Sequence, residues 1–169
     1  MRSGELKYME KRERNEFGQG IYIVTTEDGF PCKVGVTNKL RERVGQIQTG
    51  NWNKLKASWF SFVLNEDWRA GRLSIWAAFN TAAPRLERAV HRTLRELDLG
   101  LEGEWFAISD EDCRKVIAKV AEETGLRLAG IEILEGIEMY RRASNRQIEV
   151  FKAIVEAEVQ ARAAVDTNA

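Results

Sequence analysis

The residues that decide the fold lie in one stretch, Gly20 to Asn51, which reads GIYIVTTEDGFPCKVGVTNKLRERVGQIQTGN. Its first run, from Gly20 to Thr26, is rich in β-branched and aromatic residues and ends at the turn-forming sequence EDGFP. The second run, from Cys32 to Thr37, has the same character. We therefore expect two strands that are joined as a β-hairpin.

A short basic helix is expected directly after the hairpin. Asn38 is a residue type that accepts hydrogen bonds from the free N–H groups of a helix, so we predict that the helix starts there and ends near Gly50. One stripe is apolar at helical spacing and should be buried, namely Leu40, Val44 and Ile47. Three amides lie on or just beyond the exposed side, namely Gln46, Gln48 and Asn51.

The middle of the chain predicts more strands and a second helix. Residues 54–64 have the aromatic and β-branched character of a third strand, and residues 73–79 are apolar again, which favours a strand that folds back, with a helix as the alternative. Thr81 and Pro84 then indicate a helix start. The inner stripe of that helix should be Leu86, Val90, Leu94 and Leu97.

The last part of the chain predicts a closing strand and two further helices. Residues 103–108 suit a short strand, and Ser109 with Asp112 resembles a capping box for a helix over residues 110–124. Residues 126–133 suit another strand, and residues 137–165 form a long helical segment that either packs back on the domain or pairs with another chain. We expect an α/β fold with a small, central, mainly antiparallel sheet flanked by helices. The expected units are a charged arm over 1–17, a domain over 18–134 and a helical extension over 135–169.

Composition and charge narrow the functional classes. Of 169 residues, 44% are hydrophobic and 31% are charged, which is typical of a globular domain, and the 26 basic residues equal the 26 acidic ones. Residues 33–56 nevertheless hold six basic residues against one acid, a local excess that suits phosphate contact. Cys32 and Cys113 have no C-x-x-C spacing, so neither a disulfide framework nor a zinc site is indicated. With no secretion signal and no long apolar run, a soluble cytoplasmic protein is expected.

Four ordered motifs resemble the GIY-YIG endonuclease superfamily. Gly20-Ile21-Tyr22 matches the first motif, and Lys33-Val34-Gly35 matches the lysine-bearing second motif of the phage-type branch. Arg43 follows at the distance of that family's helix arginine. Glu87 with His91 matches the later E-x-x-x-H motif, and residues 103–106 match GEWF. The chain departs from the family where Lys33 replaces the second tyrosine, and an insertion lies between residues 63 and 84.

The resemblance implies a metal-dependent DNA endonuclease. In such an enzyme Tyr22 would be the general base, Lys33 would supply positive charge that favours its phenolate, and Arg43 would clamp the phosphate through paired donors. Glu87 would hold one Mg²⁺ or Mn²⁺ at the leaving oxygen, and His91 would orient water or contact a phosphate. Nucleic-acid contacts are expected from the helix and the segment after it, at Lys39, Arg41, Gln46, Gln48, Asn51 and Lys54.

Other interpretations remain open from the sequence. The main alternative is a nucleic-acid-binding module on the same scaffold that does not cut. A third is a structural protein that uses the last helix, whose narrow apolar stripe would also permit a homo-oligomer. DNA is the expected partner, with RNA as the alternative, and no membrane partner is expected.

Overall fold

Five antiparallel strands form the sheet of the protein, whose computed structural model describes residues 19–131 and 138–167. Strands β1 (Gly20–Thr26) and β2 (Cys32–Thr37) pair as the predicted hairpin. Strand β3 (Leu55–Asn65) pairs with the other edge of β1, which confirms the third strand. Strands β4 (Trp105–Phe106) and β5 (Leu126–Ile131) complete the order β4-β2-β1-β3-β5. The expected arm over residues 1–17 lies outside the described residues.

The first helix, α1 (Leu40–Thr49), follows the hairpin and leads into β3. Its N-cap is Lys39, without a side-chain cap hydrogen bond, so the predicted start at Asn38 is wrong. The side chain of Thr37 accepts the Lys39 N–H at 3.0 Å, and this hydrogen bond turns the chain one residue before the cap. The predicted end at Gly50 is confirmed.

The second helix, α2 (Ile75–Glu96), corrects the prediction for residues 73–84. These residues do not form a strand, and the helix does not start at Thr81 or Pro84. The side chain of Ser74 caps the helix by accepting the Ala77 N–H at 3.2 Å, and Pro84 lies inside the helix. Because the helix ends at Glu96, Leu97 lies beyond its buried stripe and is 57% exposed. The remaining stripe of Leu86, Val90 and Leu94 is buried as predicted.

Two more α-helices follow in the described part of the chain. Helix α3 (Asp110–Glu123) begins after Ser109, whose hydroxyl accepts the Asp112 N–H at 3.2 Å, as the capping box predicts. Helix α4 (Glu138–Thr167) is the predicted long C-terminal helix. The fold class inferred from the sequence is therefore confirmed. None of the helices in the described part of the chain combines the length and apolar character that crossing a bilayer requires.

The sheet buries both of its faces. Ile21 and Ile23 face a core that includes residues of α2 and α3, together with the buried free thiols of Cys32 and Cys113. Tyr22 and Val24 point to the opposite face, because successive side chains of a strand alternate. On that face the core is completed by α1 and by two residues of α4, Phe151 and Val155.

Helix α4 is fixed to the domain by packing and by charge. The Phe151 ring lies 5.1 Å from Phe62 and 4.9 Å from Phe79, measured between ring centroids. Glu158, whose side chain is only 6% exposed, accepts hydrogen bonds from Arg69 at 3.2 Å and from Arg127. The helix thus uses Phe151 and Val155 within its own chain, which confirms that it packs back on the domain.

Candidate functional site

Tyr22 lies at the centre of the candidate site, on the middle strand of the sheet. Its side chain is fully buried, and its hydroxyl oxygen accepts a hydrogen bond of 3.2 Å from Nε of Arg43. Gly35 is its partner on β2, and a Cβ there would lie 2.2 Å from the phenol oxygen. Gly20 likewise leaves room for the ring of Phe60 on β3, because a Cβ at Gly20 would lie 2.3 Å from that ring. The glycines of the first two motifs are therefore the places where aromatic rings lie directly on the backbone of the sheet.

Helix α1 brings Arg43 to this phenol. Val44 and Leu40 are buried against the sheet, and Arg43 lies at the edge of their stripe, half-buried, with its head turned to β1. Its Nη1 also donates to Oε1 of Gln46 at 3.4 Å. Arg41 is exposed instead. The helix therefore separates an arginine at the site from one on the surface.

The electrostatic environment of Tyr22 combines opposing effects. Burial raises the pKa of its hydroxyl above the ordinary value, and the charges of Glu104 and Glu87 act in the same direction. The hydrogen bond and the positive charge of Arg43 lower the pKa, but they do not fully offset the burial. The bond to Tyr22 in turn raises the pKa of Arg43. In the free protein Tyr22 is thus a neutral phenol held by a cation.

Lys33 has a different partner from the one that the sequence indicated. Its Nζ donates to Oε2 of Glu104 at 2.6 Å, and the contact to the phenol is made by Arg43. The Lys33 hydrogen bond lowers the pKa of Glu104, which stays ionised. Lys33 pairs with Val24 on β1, so it shares the sheet face of Tyr22.

Glu104 is the site residue that sequence reasoning missed. It comes directly before β4, whose Trp105 pairs with Lys33 on β2, and this register places its carboxylate beside the lysine. The signal was present in the GEWF motif, where one carboxylate stands between a glycine and two aromatic residues.

Glu87 and His91 lie one turn apart on α2 but have different surroundings. Burial raises the pKa of the half-buried Glu87 carboxyl, an effect that electrostatic interactions with His91, Arg88 and Lys33 partly offset. Within the described ranges, Glu87 makes no hydrogen bond or ion pair. His91 is buried, with Nε2 2.9 Å from the carbonyl oxygen of Val34. Since a carbonyl only accepts, this nitrogen carries the proton, and the ring fastens α2 to β2.

The carboxylates limit the kind of metal site that is possible. No group of three or more His, Cys, Asp or Glu side chains suited to a metal occurs among residues 19–131 and 138–167. A closed protein cage for zinc is therefore not formed by these residues. Mg²⁺ needs fewer protein ligands, because it keeps several waters and binds one or two carboxylates together with substrate phosphates. The half-buried carboxylate of Glu87 fits such a site.

The residues predicted to contact nucleic acid lie on α1 and in the loop that follows it. Lys39 pairs with Glu42 at 3.6 Å and Lys54 with Glu27 at 3.2 Å, and both lysines are exposed. Gln48 has a structural task, because its amide donates to the backbone oxygens of residues 51 and 53 at 2.9 Å. The structure brings Arg43 to the phenol, with Gln46 as a second hydrogen-bond partner of its guanidinium, and leaves Lys39, Arg41 and Lys54 on the surface.

A comparison with protein-family models decides the family of this chain. The model of the T5orf172 domain matches residues 19–121, more than half of the chain. The chain belongs to the T5orf172 domain family. This family is related to phage endonucleases of the GIY-YIG-like or HNH type. The matched part of the T5orf172 protein contains all the site residues described above, whereas β5 and α4 follow it. Neither the curated proteins nor the solved structures gave a match.

Proposed function

We propose that this T5orf172-domain protein is a metal-dependent endonuclease that hydrolyses phosphodiester bonds of DNA. The observation that supports this most is the hydrogen bond from Arg43 to the buried hydroxyl of Tyr22. Glu87, a desolvated carboxylate, acts electrostatically on both of these residues. A phenol, a guanidinium and a carboxylate are the groups that such a hydrolysis needs.

Tyr22 is the general base in this proposal. As phenolate, it takes the proton of the attacking water, and Arg43 makes this form accessible by lowering the pKa of the phenol. Tyr22 has no exposed surface, so the attacking water reaches its oxygen only after side chains around the phenol move. The guanidinium has further N–H donors, which bind the phosphate and stabilise the charge of the transition state.

Glu87 is the proposed metal ligand. A bound Mg²⁺ or Mn²⁺ supplies a Lewis acid that neutralises charge on the leaving oxygen. Glu87 holds its carboxylate at the edge of α2, half-shielded from water, and no ion pair with another described residue competes for it. Lys33 is held by Glu104 on the sheet face of Tyr22 and adds positive charge for the phosphates.

The second candidate is a nucleic-acid-binding module that does not cleave. Two observations favour it: the burial of Tyr22 is complete, and the pKa of its hydroxyl is raised. In this case Arg43 and the exposed basic residues of α1 would bind phosphates, and the phenol would serve only to orient Arg43.

Plasmid cleavage with Mg²⁺, and with EDTA in its place, separates the two candidates. The wild-type protein should cut only with the metal, and Glu87→Ala should abolish cutting but keep DNA binding. Glu96→Ala is the matched control, because Glu96 lies on the same helix but is exposed. If the wild-type protein binds DNA and never cuts it with Mg²⁺ or Mn²⁺, the binding module is the correct function. Full activity in Glu87→Ala would remove the metal role of Glu87.

A further inference from the structure

The loop between α1 and β3 presents a tryptophan to solvent. Trp52 is fully exposed, although the residues on either side of it are held firmly. Gln48 donates to the backbone oxygens of Asn51 and Asn53, and its own amide oxygen accepts the Leu55 N–H at 2.8 Å. The Asn53 N–H donates to Oδ1 of Asn51 at 3.0 Å. A rigid loop with an exposed indole loses little conformational entropy when a flat partner stacks on it.

A cavity of about 250 Å³ opens beside this loop. Asn51 and Asn53 form one wall, so Trp52 stands at its rim, and Thr26, Pro31, Leu101 and Trp105 form much of the rest. Drug-sized ligands occupy roughly 300–1,000 Å³, so this cavity suits a smaller and flatter group. Its walls are mainly apolar, with amides at the edge.

The cavity adjoins the candidate site. Trp105, which lines it, pairs with Lys33 across β2 and β4, and the neighbouring Glu104 holds the Lys33 ammonium. Thr26 belongs to the strand that carries Tyr22. A nucleic-acid strand whose phosphate lies at Arg43 and Lys33 therefore passes close to the cavity.

We propose that this cavity holds one unpaired base of the bound nucleic acid, while Trp52 at its rim stacks on that base. The proposal rests on the proposed function, because it assumes a nucleic-acid partner. It adds a recognition site to the phosphate contacts and makes a strand with an unpaired base the favoured substrate.

The chemistry of the walls favours a base over a phosphate or a protein side chain. Among the described residues that line the cavity there is no lysine or arginine, and Glu102 would repel a phosphate. The side-chain amide of Asn53 has no hydrogen-bond partner in the described part of the chain, so it is available to the edge of a base. Asn51 and Asn53 belong to residues 33–56, the segment with six basic residues against one acid, which favours a polyanion over an apolar peptide.

Binding of synthetic duplexes in EDTA tests this assignment. One duplex is fully paired, a second carries a single bulged adenine, and a third carries an abasic linker at that position. Fluorescence anisotropy should show the tightest wild-type binding for the bulged adenine. Trp52→Ala should weaken that binding roughly tenfold, the effect of losing one stacked base. On the abasic duplex the same substitution should change little, because the missing base and the missing indole remove the same stacking contact.

Two further variants make the result specific. Asn53→Ala should also weaken binding of the bulged adenine, although less than Trp52→Ala does. Val165→Ala is the control, since Val165 is an exposed apolar residue at the end of α4 and should bind every duplex like the wild type. If the wild type binds and cuts DNA but Trp52→Ala binds the bulged adenine equally well, the cavity proposal alone is wrong. An equal loss on the bulged and abasic duplexes would also overturn it. If the wild type binds no nucleic acid, the proposed function fails as well.

Discussion

Replacement of Arg43 by alanine tests the central contact of the site. The change removes the donor to the Tyr22 hydroxyl, a charged hydrogen bond of 3.2 Å. Hydrogen bonds to charged groups contribute about 1.5–3 kcal/mol, which corresponds to roughly 10- to 150-fold in rate if the bond serves only the phenolate. The guanidinium donors to the phosphate act in the transition state and add to this loss. We therefore expect Arg43→Ala to cleave about 10²-fold more slowly than the wild type, or slower still.

The pH dependence of the cleavage rate gives a second and independent signature. Arg43 lowers the pKa of Tyr22 against the opposing effect of burial. Without Arg43 the pKa of the phenol rises further, so the phenolate fraction at a given pH falls and the rising limb of the rate profile moves to higher pH. Single-turnover cleavage at saturating protein concentration, measured over a range of alkaline pH, would record both the rate and this shift.

The controls are two other arginine variants. Arg41→Ala, two positions away on the exposed side of α1, should weaken binding but leave the rate at saturation and the pH profile unchanged. Arg43→Lys should not restore cleavage, because an ammonium lacks the paired donors of a guanidinium. The reasoning is refuted if Arg43→Ala cuts like the wild type, or if its profile is not displaced.

The remaining predictions concern the phenol and the anchor of α4. Tyr22→Phe keeps the ring and removes the hydroxyl, so single-turnover cleavage should fall by at least ~10²-fold while the melting temperature stays near that of the wild type. Gly35→Ala should lower the cleavage rate to a similar extent, because its Cβ would lie 2.2 Å from the phenol oxygen and displace it; an unchanged rate would contradict this. Glu158→Gln should lower the free energy of unfolding by about 1–3 kcal/mol in urea titrations, since Arg69 and Arg127 lose a charged acceptor but are themselves partly exposed. Burial raises the pKa of Glu158, but these two arginines lower it more, so its pKa in the folded protein is below the ordinary value of 4.5. The difference in free energy of unfolding between the wild type and Glu158→Gln should therefore be full above pH 4.5 and disappear as the pH falls below that value.

Local sequence patterns were enough to predict much of the fold. The hairpin and the capping box at Ser109 depend on neighbours in the sequence, and the structure has both of them where they were predicted. The prediction of where α2 starts was wrong, also for a local reason. Pro84 resembled a first helical residue, but the true cap is Ser74, ten positions earlier, and the intervening apolar residues suited a strand as well as a helix.

The parts of the site that were missed depend on contacts across the sheet. Residues Tyr22 and Arg43 are 21 positions apart, and helical spacing was enough to place Arg43 at the sheet. The pair of Lys33 and Glu104 spans 71 positions, and it depends on the register of β2 with the two-residue strand β4. No periodicity in the sequence encodes that register. The exposure of Trp52 was equally hidden, because an aromatic residue in a loop is more often expected to be buried.

The long reach of these contacts has a consequence for folding. The phenol comes from β1, the ammonium from β2, the guanidinium from α1, the sheltered carboxylate from α2 and the second carboxylate from the turn before β4. Closing loops of this length must precede any of the contacts, so the site is absent from every partly folded state that lacks one of these elements. No fragment of the chain holds the whole set until the sheet has closed. The chemistry of this protein therefore cannot appear during refolding before the hairpin, α1, α2 and β4 have come together.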